Sequence, residues 1–106
     1  MDRAEYRVYI LRCADGSLYT GIAKDMQRRL REHERGTRGA KYLRGRQPFK
    51  LVYERPVAER ASALRVEHRI KRLDRRQKEA LIAGDKALSL IIGIAASGQT
   101  PGGSGL

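Results

Sequence analysis

The segment from residue 5 to residue 23 constrains the fold most, because its pattern is typical of two β-strands joined by a very short turn. Residues 5–13 (EYRVYILRC) and 17–23 (SLYTGIA) are rich in the β-branched and aromatic types that favour strands. Between them, Ala14-Asp15-Gly16 contains the Asp-Gly pair typical of hairpin turns. The chain is therefore predicted to contain an antiparallel hairpin.

The length of the turn decides which side chains share a face of this hairpin. A two-residue loop would pair Tyr9 with Ile22 and place Tyr19 on the opposite face. A three-residue loop, with Gly16 in the left-handed conformation, shifts the register by one and brings Tyr9, Tyr19 and Gly21 to one face. In that register Gly21 would leave open space beside Tyr9 for a ligand. Ordinary packing of both tyrosines on the core is the alternative, and the strands alone favour it.

The elements that follow predict an α+β domain. Asp25 is suited to cap a helix that ends near Gly36, and residues 49–54 (FKLVYE) alternate as a third strand, with Pro56 marking its exit. Residues 58–73 carry an apolar stripe at helical spacing, and a shorter helix is expected over 75–83. The order β-β-α-β-α-α gives a small three-stranded, mostly antiparallel sheet flanked by helices.

The domain is expected to span residues 1–84. Residues 85–96 are apolar enough for a C-terminal helix that covers the core, and the Gly-rich residues 97–106 are expected to form a flexible tail. With 106 residues the chain has room for a single modest core.

Charge and cysteine content narrow the class of partner and compartment. The chain carries 23 Lys and Arg against 12 Asp and Glu, a formal charge of +11, which usually indicates a polyanionic partner. A nucleic acid is the first expectation, DNA above all, and an anionic membrane surface the second. Cys13 is the single cysteine, the N-terminus lacks a signal-peptide pattern, and no apolar run approaches the roughly 20 residues of a membrane span. A cytoplasmic protein, monomeric or weakly dimeric, is expected.

The predicted first helix holds one unusual pair. Arg29 and His33 are four positions apart and therefore neighbours on one face, whereas Arg28, Arg31 and Arg35 point in other directions. A solvated basic face is the usual explanation of such a run. His33 does not fit that explanation well, because a weakly basic imidazole adds little charge.

The segment between this helix and the third strand, residues 36–48, reads as a basic loop suited to contact a nucleic-acid backbone. Tyr42 within it is suited to stack on a base. The residues expected to bind nucleic acid are Arg38, Lys41, Tyr42, Arg44 and Arg46.

Glu67 is an acid in an apolar setting. On the 58–73 helix it falls roughly 40° from Ala63. A carboxylate there costs several kcal/mol unless it is paired or binds a metal, so the alternatives are a salt bridge to Lys or Arg and a site for Mg²⁺ (or Mn²⁺).

Taken in order, these pieces resemble the GIY-YIG endonuclease superfamily, and more narrowly its small single-domain bacterial members, long classed as an uncharacterised protein family. The resemblance covers roughly residues 5–83 and rests on 8-VYILRC-13, 19-YTG-21, the Arg29 helix and 67-EHRIKRL-73. The segments 40-AKYLRGRQP-48 and 76-RQKEALI-82 also fit this branch.

By position, the resemblance implies a catalytic set of Tyr9, Tyr19, Arg29 and His33, with Glu67 as the metal ligand. Tyr9 matches the tyrosine of the first motif, although Arg7-Val8 replaces Gly-Ile. Tyr19 and Gly21 match the second motif, with Thr20 in place of isoleucine. Where some members have a lysine after that glycine, this chain has Ile22.

The implied activity is metal-dependent hydrolysis of DNA phosphodiester bonds, structure-selective or non-specific, in DNA repair or processing. Tyr9 would be the general base, Arg29 would hold a phosphate oxygen, and Tyr19 and His33 would orient water or phosphate. A base role near neutral pH requires nearby cations to lower the pKa of Tyr9. Two alternatives stay open. One is a DNA- or RNA-binding module without efficient cleavage. The other, weaker, is an adaptor that uses an exposed patch in residues 87–96.

Overall fold

The computed structural model describes residues 6–35 and 43–94, which form three strands and four helices in an α+β arrangement. The predicted fold class is thereby confirmed. The elements are β1 (Tyr6–Arg12), β2 (Leu18–Ala23), α1 (Met26–Arg35), β3 (Lys50–Val57), α2 (Arg60–Lys71), α3 (Arg75–Ile82) and α4 (Lys86–Ile92). The strands form one antiparallel sheet in the order β2-β1-β3.

The hairpin has the three-residue turn. Gly16 adopts a φ of 86°, and its N–H donates to the Cys13 carbonyl at 2.9 Å. Asp15 stabilises the turn by accepting a bond from the Ser17 N–H at 3.0 Å. In the resulting register Tyr9 lies opposite Gly21 and Leu11 opposite Tyr19. The shared face of the two motif tyrosines is confirmed.

The third strand is longer than predicted, because it continues through Pro56 to Val57. The prediction that Pro56 marks the strand exit was wrong. β3 is an edge strand, and an edge position tolerates the missing N–H of proline when that side of the strand faces away from the ladder.

The sheet separates two apolar clusters. Val8 and Ile10 point to the larger cluster, which α2, α3 and α4 complete. Tyr9 and Leu11, which alternate with them along β1, point to a smaller cluster formed with α1 and the segment 43–49. The predicted stripe of α2 is confirmed, since Ala63, Val66 and Ile70 are buried and Leu73 is partly buried, all in the larger cluster.

The last two helices begin at aspartate caps. Asp74 accepts from the Gln77 N–H while the Gln77 side chain accepts from the Asp74 N–H, a capping box, and Asp85 accepts from the Leu88 N–H. α4 ends at Gly93, whose φ of 94° suits glycine. Leu88 and Ile92 belong to the same core as α2, and residues 95–106 lie outside the described part.

The outer face of α4 exposes Leu90 and Ile91, each 63% accessible. Among the described residues, no helix has both the length and the apolar character required to cross a membrane.

Candidate functional site

The site is centred on a contact between the hairpin and the first helix. The hydroxyl of Tyr9 lies 2.9 Å from Nε2 of His33, and both residues are buried, at 1% and 3% exposure. β1 supplies the tyrosine, and α1, which packs on the same face of the sheet through Met26 and Leu30, supplies the histidine. When the ring proton of His33 is on Nδ1, the tyrosine donates its hydroxyl proton to Nε2.

Tyr19 completes an aromatic group around this bond. Its ring centroid is 6.3 Å from that of Tyr9 and 5.7 Å from that of His33, and it is only half-buried. Phe49 closes the group from the segment before β3, 6.4 Å from His33. The structure therefore brings Tyr9, Tyr19 and His33 together, as the resemblance implied.

Gly21 does not leave open space for a ligand, as was expected, but makes room for the side chain of Tyr9. A Cβ built at this position would lie 2.6 Å from the hydroxyl oxygen of Tyr9 and 3.1 Å from Cε2 of Tyr19. The space over Gly21 is thus filled by the ring of Tyr9, so the expectation of open space beside Tyr9 was wrong. Close approach to the backbone at Gly21 is what allows the Tyr9 hydroxyl to reach His33.

Burial controls the protonation of the hydrogen-bonded pair. Desolvation, followed by the nearby Tyr19, raises the pKa of Tyr9, and among the described residues the charge of Arg29 opposes this. Desolvation and then Arg29 lower the pKa of His33. In the free protein the tyrosine is therefore protonated and the imidazole neutral at pH 7. The lowered pKa of Tyr9 that the base role requires is not present in this state.

Arg29 differs from the other arginines of α1. Arg28, Arg31 and Arg35 are exposed, whereas Arg29 is half-buried and its charge acts on Tyr9 and Tyr19. Nη1 of Arg29 lies 3.3 Å from Oε1 of Glu32, an acid that the sequence had not singled out. The i,i+3 spacing of these two residues was the available signal.

Glu67 lies on α2 and is 17% exposed. Its charge, together with those of Arg29 and Lys71, acts on Tyr19, so the acid belongs to the same neighbourhood. Nζ of Lys71 lies 3.2 Å from Oε2 of Glu67, one helical turn away. The salt-bridge alternative for this carboxylate is therefore present in the structure, and Lys71 is a second residue that the sequence reading missed.

Glu67 could bind a divalent cation as a single carboxylate ligand, with the other ligands supplied from outside the protein. Within residues 6–35 and 43–94, no three His, Cys, Asp or Glu side chains lie close enough to form a cage. Mg²⁺ is commonly bound by one or two carboxylates, with substrate phosphates and waters completing its shell. Glu67 is compatible with that mode, provided that the ion displaces Lys71 from the carboxylate.

Residues 46 and 47, in the described part of the basic loop, contact both the hairpin turn and the end of α1. Arg46 pairs with Asp15 in the hairpin turn at 2.5 Å, and its carbonyl accepts from the Ala14 N–H. The side-chain amide of Gln47 donates to the Glu34 carbonyl at the end of α1. Arg44 is exposed. Arg38, Lys41 and Tyr42 lie outside the described residues.

Comparison with known proteins gives one family. Residues 5–80 match the family model described as the GIY-YIG catalytic domain. A UPF0213 protein of Cronobacter sakazakii is 51% identical over 83 residues, which cover 78% of this chain and 86% of the relative. The UPF0213 protein YhbQ of Escherichia coli is 45% identical over 94 residues, covering 89% and 90%.

Two solution structures share the fold. A UPF0213 protein of Bacillus halodurans is 41% identical, with a TM-score of 0.50, and the match covers 85% of this chain and 98% of that one. A protein of E. faecalis is 38% identical, with a TM-score of 0.55, and the match covers 77% and 85%.

Proposed function

The chain belongs to the GIY-YIG nuclease family, and from this premise we propose that it hydrolyses phosphodiester bonds in DNA with the help of a divalent metal ion. The observation that carries the proposal is the buried hydrogen bond between Tyr9 and His33, with the charges of Arg29 and Glu67 acting on the adjoining Tyr19. Binding DNA does not by itself require a tyrosine hydrogen-bonded to an imidazole.

Arg29 is the proposed phosphate ligand. Its guanidinium is held beside the tyrosines by Glu32 and presents several N–H donors in a plane, which suits the oxygens of a phosphate. Because charge builds up on those oxygens in the transition state, a donor already in place lowers the barrier.

Tyr9 and His33 are the proposed route for a proton. Neutral His33 accepts the hydroxyl proton of Tyr9 through Nε2, and the resulting phenolate accepts a proton from the attacking water. The raised pKa of Tyr9 and the lowered pKa of His33 both oppose this transfer in the free protein. Arg29 is the described cation that lowers the pKa of Tyr9, so its removal should impair proton transfer as well as phosphate binding.

Glu67 is the proposed ligand of Mg²⁺ or Mn²⁺. When bound, the ion would supply positive charge for the leaving oxygen of the phosphodiester. Lys71 then serves to neutralise Glu67 in the absence of metal, at a distance of 3.2 Å. Metal binding in the absence of DNA should therefore be weak, since the ion has to displace an ion pair.

A DNA- or RNA-binding module without cleavage is the second candidate. The burial of Tyr9, at 1% exposure, and the pairing of Glu67 with Lys71 favour it, because neither the proposed base nor the proposed metal ligand is ready to act in the free protein.

Single-turnover cleavage of duplex, single-stranded and branched DNA, with Mg²⁺ or with chelator, separates the two. Tyr9→Phe should lower the rate by about 10²–10⁴-fold, the usual contribution of a general base, with DNA affinity retained. The matched control is Tyr53→Phe. Tyr53 is also buried, on the other face of the sheet, and its hydroxyl has no hydrogen-bond partner among the described residues.

Two further variants test the charged groups. Arg29→Lys keeps the charge but loses the planar donor fork, so the rate should fall. Glu67→Gln should abolish the response to Mg²⁺. DNA binding with a steep salt dependence, but no cleavage of any of these substrates with Mg²⁺ or with Mn²⁺, would establish the binding module instead.

A further inference from the structure

A cavity of about 470 Å³ opens beside the proposed catalytic site, at the open end of the β1–β2 hairpin. It lies where the chain leaves β2 and where α1 and α2 begin. The charged and aromatic residues that line it are Tyr6, Lys24, Asp25, Arg28, Arg29, Glu32 and Arg60. Its volume is within the usual range of ligand sites.

The cavity carries an excess of positive charge, and both of its carboxylates are already engaged. Asp25 caps α1 by accepting from the Arg28 N–H at 3.0 Å. Glu32 lies 3.2 Å from the Arg28 guanidinium and 3.3 Å from that of Arg29. Asp25 is therefore engaged by the first turn of α1, and Glu32 is engaged by two arginines of the same helix.

Lys24 and Arg60 are different, because neither has a carboxylate partner among residues 6–35 and 43–94. Both are exposed. Nζ of Lys24 lies 5.5 Å from the ring centroid of Tyr6, a cation–π distance that keeps the ammonium at the cavity wall. The wall thus presents two cations whose charge is not neutralised within the described protein. Such cations attract an anion.

Arg29 connects this cavity to the catalytic site. It lines the cavity, and its charge also acts on Tyr9, Tyr19 and His33. A strand whose reacting phosphate is held by Arg29 would therefore place a neighbouring phosphate next to Lys24 and Arg60.

We propose that the cavity is a second phosphate subsite, in which Lys24 and Arg60 bind the backbone phosphate that adjoins the cleaved one. The inference rests on the proposed nuclease function, and it assigns a path to the DNA strand across the N-terminal ends of α1 and α2. The subsite fixes the register of the strand, so that one phosphodiester bond lies at Tyr9 and Arg29. Lys24 and Arg60 are positioning residues, because they contact the substrate away from the reacting atoms.

Binding and cleavage test the subsite separately. In fluorescence anisotropy with a single-stranded oligonucleotide, each phosphate contact contributes about 0.7 to the slope of log affinity against log salt. The double variant Lys24→Ala/Arg60→Ala should lower that slope by about 0.7, for one lost phosphate contact. The control Arg76→Ala/Lys86→Ala removes the same charge from exposed positions outside the cavity and should leave the slope nearly unchanged. Equal slopes in the two variants would overturn the proposal.

Cleavage locates the phosphate. A neutral methylphosphonate is placed in turn at each position near the bond that the wild type cuts. At one position adjoining that bond, the methylphosphonate should lower the cleavage rate of the wild type by about tenfold or more. The same substitution should not lower the rate of the Lys24→Ala/Arg60→Ala variant any further. The charge-conserving pair Lys24→Arg/Arg60→Lys should restore the sensitivity. A wild-type profile with no sensitive flanking position would contradict the subsite.

Failure of the nuclease proposal can be distinguished from failure of the phosphate subsite. If the wild type does not cleave, the nuclease proposal fails while the salt slopes still report on the cavity. If inorganic phosphate binds to the wild type but not to the Lys24→Ala/Arg60→Ala variant, while these two proteins bind the oligonucleotide with equal salt slopes, the cavity binds free phosphate and the assignment to a DNA strand is wrong.

Discussion

The hydroxyl of Tyr9 and Nε2 of His33 are 2.9 Å apart, although 24 residues of chain separate them. The contact depends on three conditions: the register of the hairpin, the absence of a side chain at Gly21, and the packing of α1 on the same face of the sheet. Each condition can be altered by one substitution, which makes the pair a sensitive test of the site.

Gly21→Ala should damage both stability and activity. The new Cβ would lie 2.6 Å from the Tyr9 hydroxyl, so the ring has to move and the bond to His33 is lost. Overpacking of this kind costs about 1–3 kcal/mol, measured as the free energy of unfolding in urea. In a Tyr9→Leu background the same substitution should cost less, because the ring is gone. An equal cost in both backgrounds would show that the clash is not the cause.

The rate of cleavage should rise in mild acid and then level off. The proposed transfer from Tyr9 to His33 leaves the number of bound protons unchanged and requires a neutral imidazole, and burial lowers the pKa of His33. The single-turnover rate should therefore increase about tenfold per pH unit below the pKa of His33 and change little between about pH 7 and pH 9. A rate that keeps increasing about tenfold per unit up to about pH 9 would show that Tyr9 loses its proton to solvent and not to His33.

Wild-type stability should decline in mild acid because of His33. Its pKa is lowered in the folded state, so between the unfolded value of about 6.5 and the folded value the unfolded chain binds more protons. The contribution is fully present above pH 6.5 and is lost as the pH falls through the folded pKa, with a slope of at most about 1.4 kcal/mol per pH unit. His33→Gln should flatten this part of the unfolding profile. His68→Gln, at an exposed position of α2, is the control.

Glu79 should contribute stability that disappears at low pH. Its carboxylate accepts two bonds from Arg12, at 2.7 and 2.8 Å, and another from Arg75. These lower its pKa to about 2, so the contribution is present above the ordinary value of 4.5 and is lost as the pH falls toward 2. Glu79→Gln should cost at most about 1 kcal/mol at pH 7, as expected for a half-exposed ion pair, and much less near pH 2, where about half of the carboxylate is protonated. Glu59→Gln, on an exposed acid, serves as the comparison, and a loss that persists unchanged to pH 2 would rule out the ion pair.

Arg44 and Arg46 should respond differently to substitution by alanine. Arg44 is exposed, so its loss should weaken DNA binding and lower the salt slope without affecting the melting temperature. Arg46 pairs with Asp15, so its loss should also lower the free energy of unfolding. Identical melting temperatures for the two variants would show that the ion pair to the hairpin turn contributes no stability.

Local sequence was sufficient to predict the features that depend only on residues close together in the chain. The Asp-Gly pair identified the hairpin, because Gly16 tolerates a positive φ, whereas the length of the turn, and with it the register that places Tyr9 opposite Gly21, was left open by the sequence. The spacing of apolar residues on α2 identified its buried stripe in the same way. Pro56 shows the limit of this reasoning, because its effect depends on whether the strand is at the edge of the sheet.

The sequence by itself determined the hairpin, the order of the elements, the basic character and the identity of the candidate site residues. Only the tertiary structure decided that Tyr9 fills the space over Gly21 and bonds to His33, that Glu67 is paired with Lys71, and that Lys24 and Arg60 line one cavity. The reason is physical: turns and helix stripes are set by neighbours in the chain. Desolvation and the partner of a buried polar group are set by whichever distant element packs against it.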